Sequence, residues 1–178
     1  MDGVYKIDQE GMIDLPFIGK IKLDEQTLKE AQNLLIQIIK SFYKKMLYIR
    51  RFEERVGQLY GLGLIGGFCH LYIGQEAVSV GMEAAIRPND AVITGYRCHA
   101  HMVSRGASPY KILCELLGKK DGVSLGKGGS MHMFDPSKNF WGGHGIVGAQ
   151  VPIGTGIAFT FKYNESKSLS LTYFGDGA

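Results

Sequence analysis

The sequence predicts an α/β fold with a largely parallel sheet flanked by helices. Short apolar runs rich in β-branched residues read as buried strands, as at Ala91-Val92-Ile93-Thr94. Stretches with apolar residues at steps of three and four read as the helices between them, and strands separated by helices pair in parallel. The third observation is the run from Gly118 to Gly156, whose eleven glycines exceed what regular structure uses.

In chain order, residues 1–30 are mixed in pattern and interrupted by Pro16 and Gly19, and are expected to form an N-terminal extension with little structure of its own. The domain proper is expected over residues 31–178. Leu35, Ile38, Phe42, Met46, Ile49, Phe52, Val56 and Leu59 predict a long amphipathic helix from Ala31 to Tyr60, ended by Gly61, Gly63, Gly66 and Gly67. A second helix is predicted over Gln75 to Ile86, stopped by Arg87-Pro88-Asn89-Asp90. After the strand at 91–94, Ser108-Pro109 opens a helix over Tyr110 to Leu117. A helix over Val151 to Tyr163 and an alternating strand over Ser168 to Phe174 complete the pattern.

Composition narrows the function classes. Hydrophobic residues make up 45% and charged residues 21%, which suits a packed domain and argues against wholesale disorder. The formal charge is +3, and the densest basic groups, Lys44-Lys45 and Arg50-Arg51, are followed at once by Glu53-Glu54. That is a solvated helix face, and no nucleic-acid partner is expected. Cys69, Cys98 and Cys114 form no C-x-x-C pair, so neither a zinc site nor a disulfide framework is indicated. No run of 18 apolar residues occurs, so no helical membrane span is expected, and Met1 to Glu10 resembles neither a secretory nor a transit peptide. The expected compartment is the cytoplasm, or the mitochondrial matrix for a mature organellar protein.

The residues that can carry chemistry are concentrated in glycine-rich stretches. Gly175-Asp176-Gly177-Ala178 follows a predicted strand, where ligands of open α/β sheets gather. A carboxylate there can hold a hard divalent cation that grips phosphate, or the segment can be a tight turn. Lys127-Gly128-Gly129-Ser130-Met131-His132-Met133 reads as a phosphate-cradling loop or as a long connection. Trp141-Gly142-Gly143-His144-Gly145-Ile146-Val147-Gly148-Ala149-Gln150 implies backbone held close to something flat. Phe68-Cys69-His70 and Tyr96-Arg97-Cys98-His99 add imidazoles and a guanidinium able to take a diphosphate bidentately. No G-x-G-x-x-G opens a helix after the first strand, which disfavours a nicotinamide-binding fold.

Taken in order, Gly67-Phe68-Cys69-His70 with Gly74-Gln75-Glu76-Ala77, then Tyr96-Arg97, Lys127-Gly128-Gly129-Ser130-Met131-His132, Gly145-Ile146-Val147-Gly148-Ala149-Gln150-Val151-Pro152 and Gly175-Asp176-Gly177-Ala178 resemble the alpha subunit of the thiamine diphosphate-dependent pyruvate dehydrogenase (acetyl-transferring) decarboxylating component. The resemblance runs from about Lys44 to Ala178. It implies a thiamine diphosphate-binding fold, with thiamine diphosphate and Mg²⁺ as cofactors. Asp176 is the implied magnesium ligand, and Gly177 and Ala178 are implied to approach the diphosphate by their backbones. Tyr96 and Arg97 match a phosphate-contacting pair, Gly145 and Val147 match backbone contacts to the aminopyrimidine ring, and Phe68 precedes His70, which matches a histidine near the reacting carbon. His132 and His144 are further candidates. The implied activity is decarboxylation of pyruvate with transfer of the acetyl group to lipoyl on the dihydrolipoyl acetyltransferase core, by a heterotetramer of two alpha and two beta subunits. Alpha subunits acting on branched-chain 2-oxo acids or acetoin are the alternatives within the class. A non-catalytic assembly module using the helix from Ala31 to Tyr60 is the alternative outside it. The family pattern continues past Ala178 with an asparagine that completes the magnesium site, so a C-terminal truncation is expected, with weak cofactor binding by residues 1–178 alone.

Overall fold

The computed structural model describes residues 5–15, 19–23 and 26–178. They divide into two compact units, residues 1–43 and 44–178. In the first, β1 (Met12–Leu15) pairs antiparallel with β2 (Gly19–Lys22), in a stretch the sequence pattern reads as having little structure. Ile21, Leu23 and Ala31 form a small core there, with Leu34, Leu35 and Ile38 packed on it.

Helix α1 (Leu28–Gly61) begins three residues before the predicted start. The cause is a capping box. The Glu30 carboxylate accepts from the Thr27 backbone N–H at 2.8 Å, and the Glu30 N–H donates back to Thr27 Oγ1. The Thr27 hydroxyl, which donates to the same carboxylate at 2.7 Å, and then the Thr27 backbone N–H hold the Glu30 carboxyl below its usual range. The Thr-x-x-Glu signal is present in the sequence, ahead of the periodic apolar residues.

In the second unit, α2 (Glu76–Ala85), β3 (Ala91–Gly95), α4 (Pro109–Leu116), α5 (Gln150–Tyr163) and β5 (Ser170–Thr172) fall where periodicity puts them. Two elements do not. Helix α3 (His99–Ser104) has only six residues, too few for a period to show. Strand β4 (Phe140–His144) lies inside the glycine-rich run and has no alternation to display. The sheet order is β4-β3-β5, with both pairings parallel. This bears out the predicted α/β class with a parallel sheet flanked by helices.

Alternation along β3 sorts the two faces of the sheet. Val92 faces a core of Phe52, Val56, Cys98, Met102, Ile112, Met133 and Phe140. Ile93 faces α5, which approaches so closely that a Cβ on Gly154 would lie 3.1 Å from Ile93 Cγ2 and 3.1 Å from Thr172 Cβ. Pairing of β3 with β4 slips between Val92↔Phe140 and Thr94↔Gly143. Gly142, at φ 105°, takes up the slip. The flat group that the glycines of β4 approach is, at Gly142, the Phe134 ring of the same chain, and a Cβ at Gly143 would meet Cys98 Sγ at 2.7 Å.

Buried charges hold the loops between elements. The guanidinium of Arg105 donates to the carbonyls of Pro88, Asp90 and Lys138 at 2.7–2.9 Å and pairs with Glu83 at 3.0 Å. The fully buried Glu115 carboxylate accepts from the backbone N–H groups of Ser124, Gly126, Gly128 and Gly129 at 2.6–3.1 Å. The segment around Lys127-Gly128-Gly129 is therefore wrapped around an anion of its own, and those four donors are spent internally instead of on phosphate. Its glycines are required by closeness: a Cβ at Gly122 would meet the Glu115 backbone at 2.6 Å, and one at Gly126 would meet Gly118 at the same distance. No helix among the described residues is long and apolar enough to cross a membrane.

Two outcomes follow. Gly154→Ala, which in an ordinary helix stabilises by about 1 kcal/mol, is expected here to destabilise by about 1–3 kcal/mol through overpacking against Ile93 and Thr172; a raised denaturation midpoint would contradict this. Glu115→Gln turns an amide NH₂ toward donors that need an acceptor, at a cost of about 3 kcal/mol. Hydrogen exchange of residues 122–129 should accelerate together with the loss of stability, and unchanged protection there argues against the anion as the loop's anchor.

Candidate active site

Because the strands run the same way, the segments leaving their carboxyl ends meet on one edge of the sheet. Thr94 to Arg97 leave β3, His144 and Val147 leave β4, and Tyr173 to Ala178 leave β5. Together with Tyr72, Gln75, Val78, His101 and Gln150 they line a cleft of about 510 Å³. Of the residues singled out from sequence, Tyr96, Arg97, Val147, Asp176, Gly177 and Ala178 line it, and so does His144. Phe68, His70 and Gly145 are not among its lining residues. His70 stands beside it, with its ring 4.5 Å from that of Tyr96 and 6.4 Å from that of Phe68. Gly145 lies against His132, whose ring would be 3.0 Å from a Cβ placed there.

Asp176 sits in a turn closed by the Ala178 N–H on the Gly175 carbonyl at 3.1 Å. Its carboxylate accepts no hydrogen bond from any described residue, so it does not cap the bend. A Cβ at Gly175 or Gly177 would meet nothing within 4 Å, so internal packing does not call for glycine at either position. Arg97 is oriented by one arm of its guanidinium donating to the Leu71 carbonyl. Among the described residues no group of three or more His, Cys, Asp or Glu gathers. A lone carboxylate lining a cleft suits Mg²⁺, which keeps several waters and relies on few protein ligands. The residues present therefore fit a diphosphate held through a cation.

Aromatic rings pack together on one side of the cleft. His101 is buried, its Nε2 3.0 Å from the Tyr72 hydroxyl, and its ring is 4.3 Å from that of Tyr173. Burial drives its pKa down to about 3. Burial also pushes the Tyr173 phenol up to about 12 and raises that of Tyr72. Gln150, buried at the start of α5, donates Nε2–H to the Tyr173 carbonyl at 2.9 Å, and its Oε1 has no partner among the described residues. His70 is held below the usual imidazole range by burial, then by the Arg97 charge and by His99, so it is neutral at pH 7. Tyr72, His101, Gln150 and Tyr173 carry no spacing signal and are visible only once folded.

The family described as "Dehydrogenase E1 component" matches residues 44–178. The chain belongs to this family. Its matched span coincides with the second compact unit. The chain is 62% identical over 136 residues to the pyruvate dehydrogenase E1 component subunit alpha of Rhizobium meliloti, covering 76% of this chain and 39% of that protein. It is 56% identical over 167 residues to the protein of the same description from Zymomonas mobilis, covering 93% and 44%. It is 51% identical over 142 residues to the mitochondrial subunit alpha-1 of Arabidopsis thaliana, covering 80% and 36%. The chain thus spans less than half the length of these E1 relatives.

The neutral, buried His101 of this E1 chain sets a pH dependence of stability. Its folded pKa of about 3 lies below the unfolded value of 6.5, so the unfolded chain binds more protons between these limits. Stability is complete above about pH 6.5 and declines as pH falls, by up to about 1.4 kcal/mol per pH unit for this group. Urea midpoints at about pH 7.5 and about pH 5.5 check it: His101→Phe should flatten the decline, and equal slopes for the two proteins would refute it.

Proposed function

We propose that this chain is the cofactor-binding part of a pyruvate dehydrogenase alpha subunit that takes thiamine diphosphate and Mg²⁺ in the cleft at the carboxyl edge of the sheet. The single observation behind this is the unpaired Asp176 carboxylate, flanked by glycines open to a ligand, in one cleft with Arg97 and Tyr96. The E1 relatives from Rhizobium meliloti and Zymomonas mobilis are pyruvate dehydrogenase subunits, which supports pyruvate as the substrate.

When bound, thiamine diphosphate supplies the carbanion and the electron sink that decarboxylate a 2-oxo acid. The chain's residues bind and orient. Asp176 would hold the cation as one of its few protein ligands. Arg97 brings a permanent charge to the diphosphate, and the Gly177 and Ala178 backbones allow its close approach. Gly145 and Val147 are assigned to the ring end of the cofactor by their match to the family motif; of the two, Val147 lines the cleft. His70, neutral and in tilted contact with the Tyr96 ring, is assigned to substrate orientation, able to accept a proton. Phe68, 73% exposed, is assigned to the rim. Residues 31–178 are assigned as the N-terminal part of the cofactor domain, preceded by the extension of residues 1–30.

The proposed partners are a beta subunit, in a heterotetramer of two alpha and two beta chains, and the dihydrolipoyl acetyltransferase core that receives the acetyl group. The proposed compartment is the cytoplasm, or the mitochondrial matrix for an organellar protein.

The test uses the full-length chain assembled with its beta partner. Asp176→Asn should weaken magnesium-dependent thiamine diphosphate binding by more than about tenfold, which corresponds to about 1.4 kcal/mol, and chelation of Mg²⁺ should do the same to the unsubstituted assembly. Calorimetry showing equal affinity for both proteins would overturn the assignment of Asp176. Turnover of pyruvate in preference to 3-methyl-2-oxobutanoate and acetoin is expected; the reverse order would move the assignment to another 2-oxo acid or acetoin dehydrogenase.

A further inference from the structure

We infer that Glu53, His99 and Ser130 form a buried positioning relay that fixes the backbone of the Phe68–His70 segment and so holds the His70 ring against Tyr96 beside the cleft. Glu53 and His99 are fully buried and Ser130 is 2% exposed, so all three lie beyond solvent. His99 Nδ1 is 3.0 Å from both oxygens of the Glu53 carboxylate, and its Nε2 is 2.8 Å from Ser130 Oγ. The same Oγ accepts the His70 backbone N–H at 3.0 Å.

Two directions are fixed by chemistry: the Glu53 carboxylate accepts from His99 Nδ1–H, and Ser130 Oγ accepts the His70 backbone N–H. The direction between His99 Nε2 and Ser130 Oγ follows the state of the imidazole. Removing any of the three side chains would leave a buried donor or acceptor unpaired, at a cost of about 1–3 kcal/mol.

The order Glu-His-Ser has the composition of a nucleophilic triad, but its surroundings exclude that use. Ser130 Oγ is buried and already engaged twice, so it offers no substrate a reachable lone pair. What the relay does reach is a backbone amide, and it reaches one next to the cleft. The following residue is pinned from the other side, where the Leu71 carbonyl accepts from Arg97. Thus Ser130 and Arg97 grip consecutive residues, and the His70 ring has one short stretch of fixed backbone to turn on.

The relay's effect on turnover rests on the proposed role of His70, and the experiment separates the two. In the full-length chain assembled with its beta partner, Ser130→Ala should accelerate hydrogen exchange of a peptide spanning residues 66–72. It should also lower kcat on pyruvate by about ten- to a hundredfold, as expected for a slightly misplaced group, while KM and the thiamine diphosphate affinity stay within about twofold. In a His70→Ala background the same substitution should lower kcat no further. Glu53→Gln, of nearly equal volume, is the second variant should Ser130→Ala fail to assemble, and it should show the same pattern more weakly. Unchanged exchange at residues 66–72 overturns the relay. A kcat loss that recurs in full in the His70→Ala background overturns its action through His70. An unsubstituted assembly that neither binds thiamine diphosphate nor turns over pyruvate overturns the functional proposal instead, and exchange alone then decides whether the relay pins the segment.

Discussion

Everything at the cleft depends on the parallel pairing of β4, β3 and β5. Parallel strands must all leave the sheet at the same edge, so Tyr96 and Arg97, Val147, and Asp176 converge although they lie tens of residues apart. One antiparallel strand would carry its following residues to the opposite edge. Parallel pairing in turn needs covered faces. The Val92 face is covered by the main core, and the Ile93 face by α5 through the close contact at Gly154.

Around that sheet, buried carboxylates organise what hydrophobic burial cannot. Burial of apolar groups is non-directional and says little about where a glycine-rich loop should run. Glu115 directs one by accepting four of its N–H groups. Asp90 does the same in miniature, accepting from the Leu169 N–H and from Arg87 and so joining the start of β3 to the segment entering β5. Glu53 reaches through His99 and Ser130 to a backbone amide near the cleft. In each case an unpaired ion would be intolerable in the interior, so the loop has one arrangement that satisfies it.

Glycine serves two opposed purposes in this chain. At Gly122, Gly126, Gly142 and Gly143 the space of a Cβ is already taken by the chain itself. At Gly175 and Gly177 it is empty. Both read alike in sequence, as glycine-dense runs, which is why Lys127-Gly128-Gly129 and Gly175-Asp176-Gly177 looked equally suited to phosphate. Once folded, the first is committed to an internal anion, whereas at the second no described residue fills the space of a Cβ.

Periodicity was enough to place α1, α2, α4, α5, β3 and β5, because each is long enough or apolar enough for its burial pattern to be local. Motif order was enough to identify the family and to nominate Tyr96, Arg97, Val147 and Asp176, since chemistry that needs those residue types leaves them beside glycine. The hairpin of β1 and β2, the short α3 and the glycine-rich β4 were not legible, because their pairing partners and not their own residues stabilise them. The same holds for the aromatic cluster of Tyr72, His101 and Tyr173, for Gln150, and for the link from Glu53 to His99 across 46 residues. Contacts between distant positions carry no local signature, so only the folded chain could decide which histidine is a buried neutral prop, which one is pinned beside the cleft, and which carboxylate is left open.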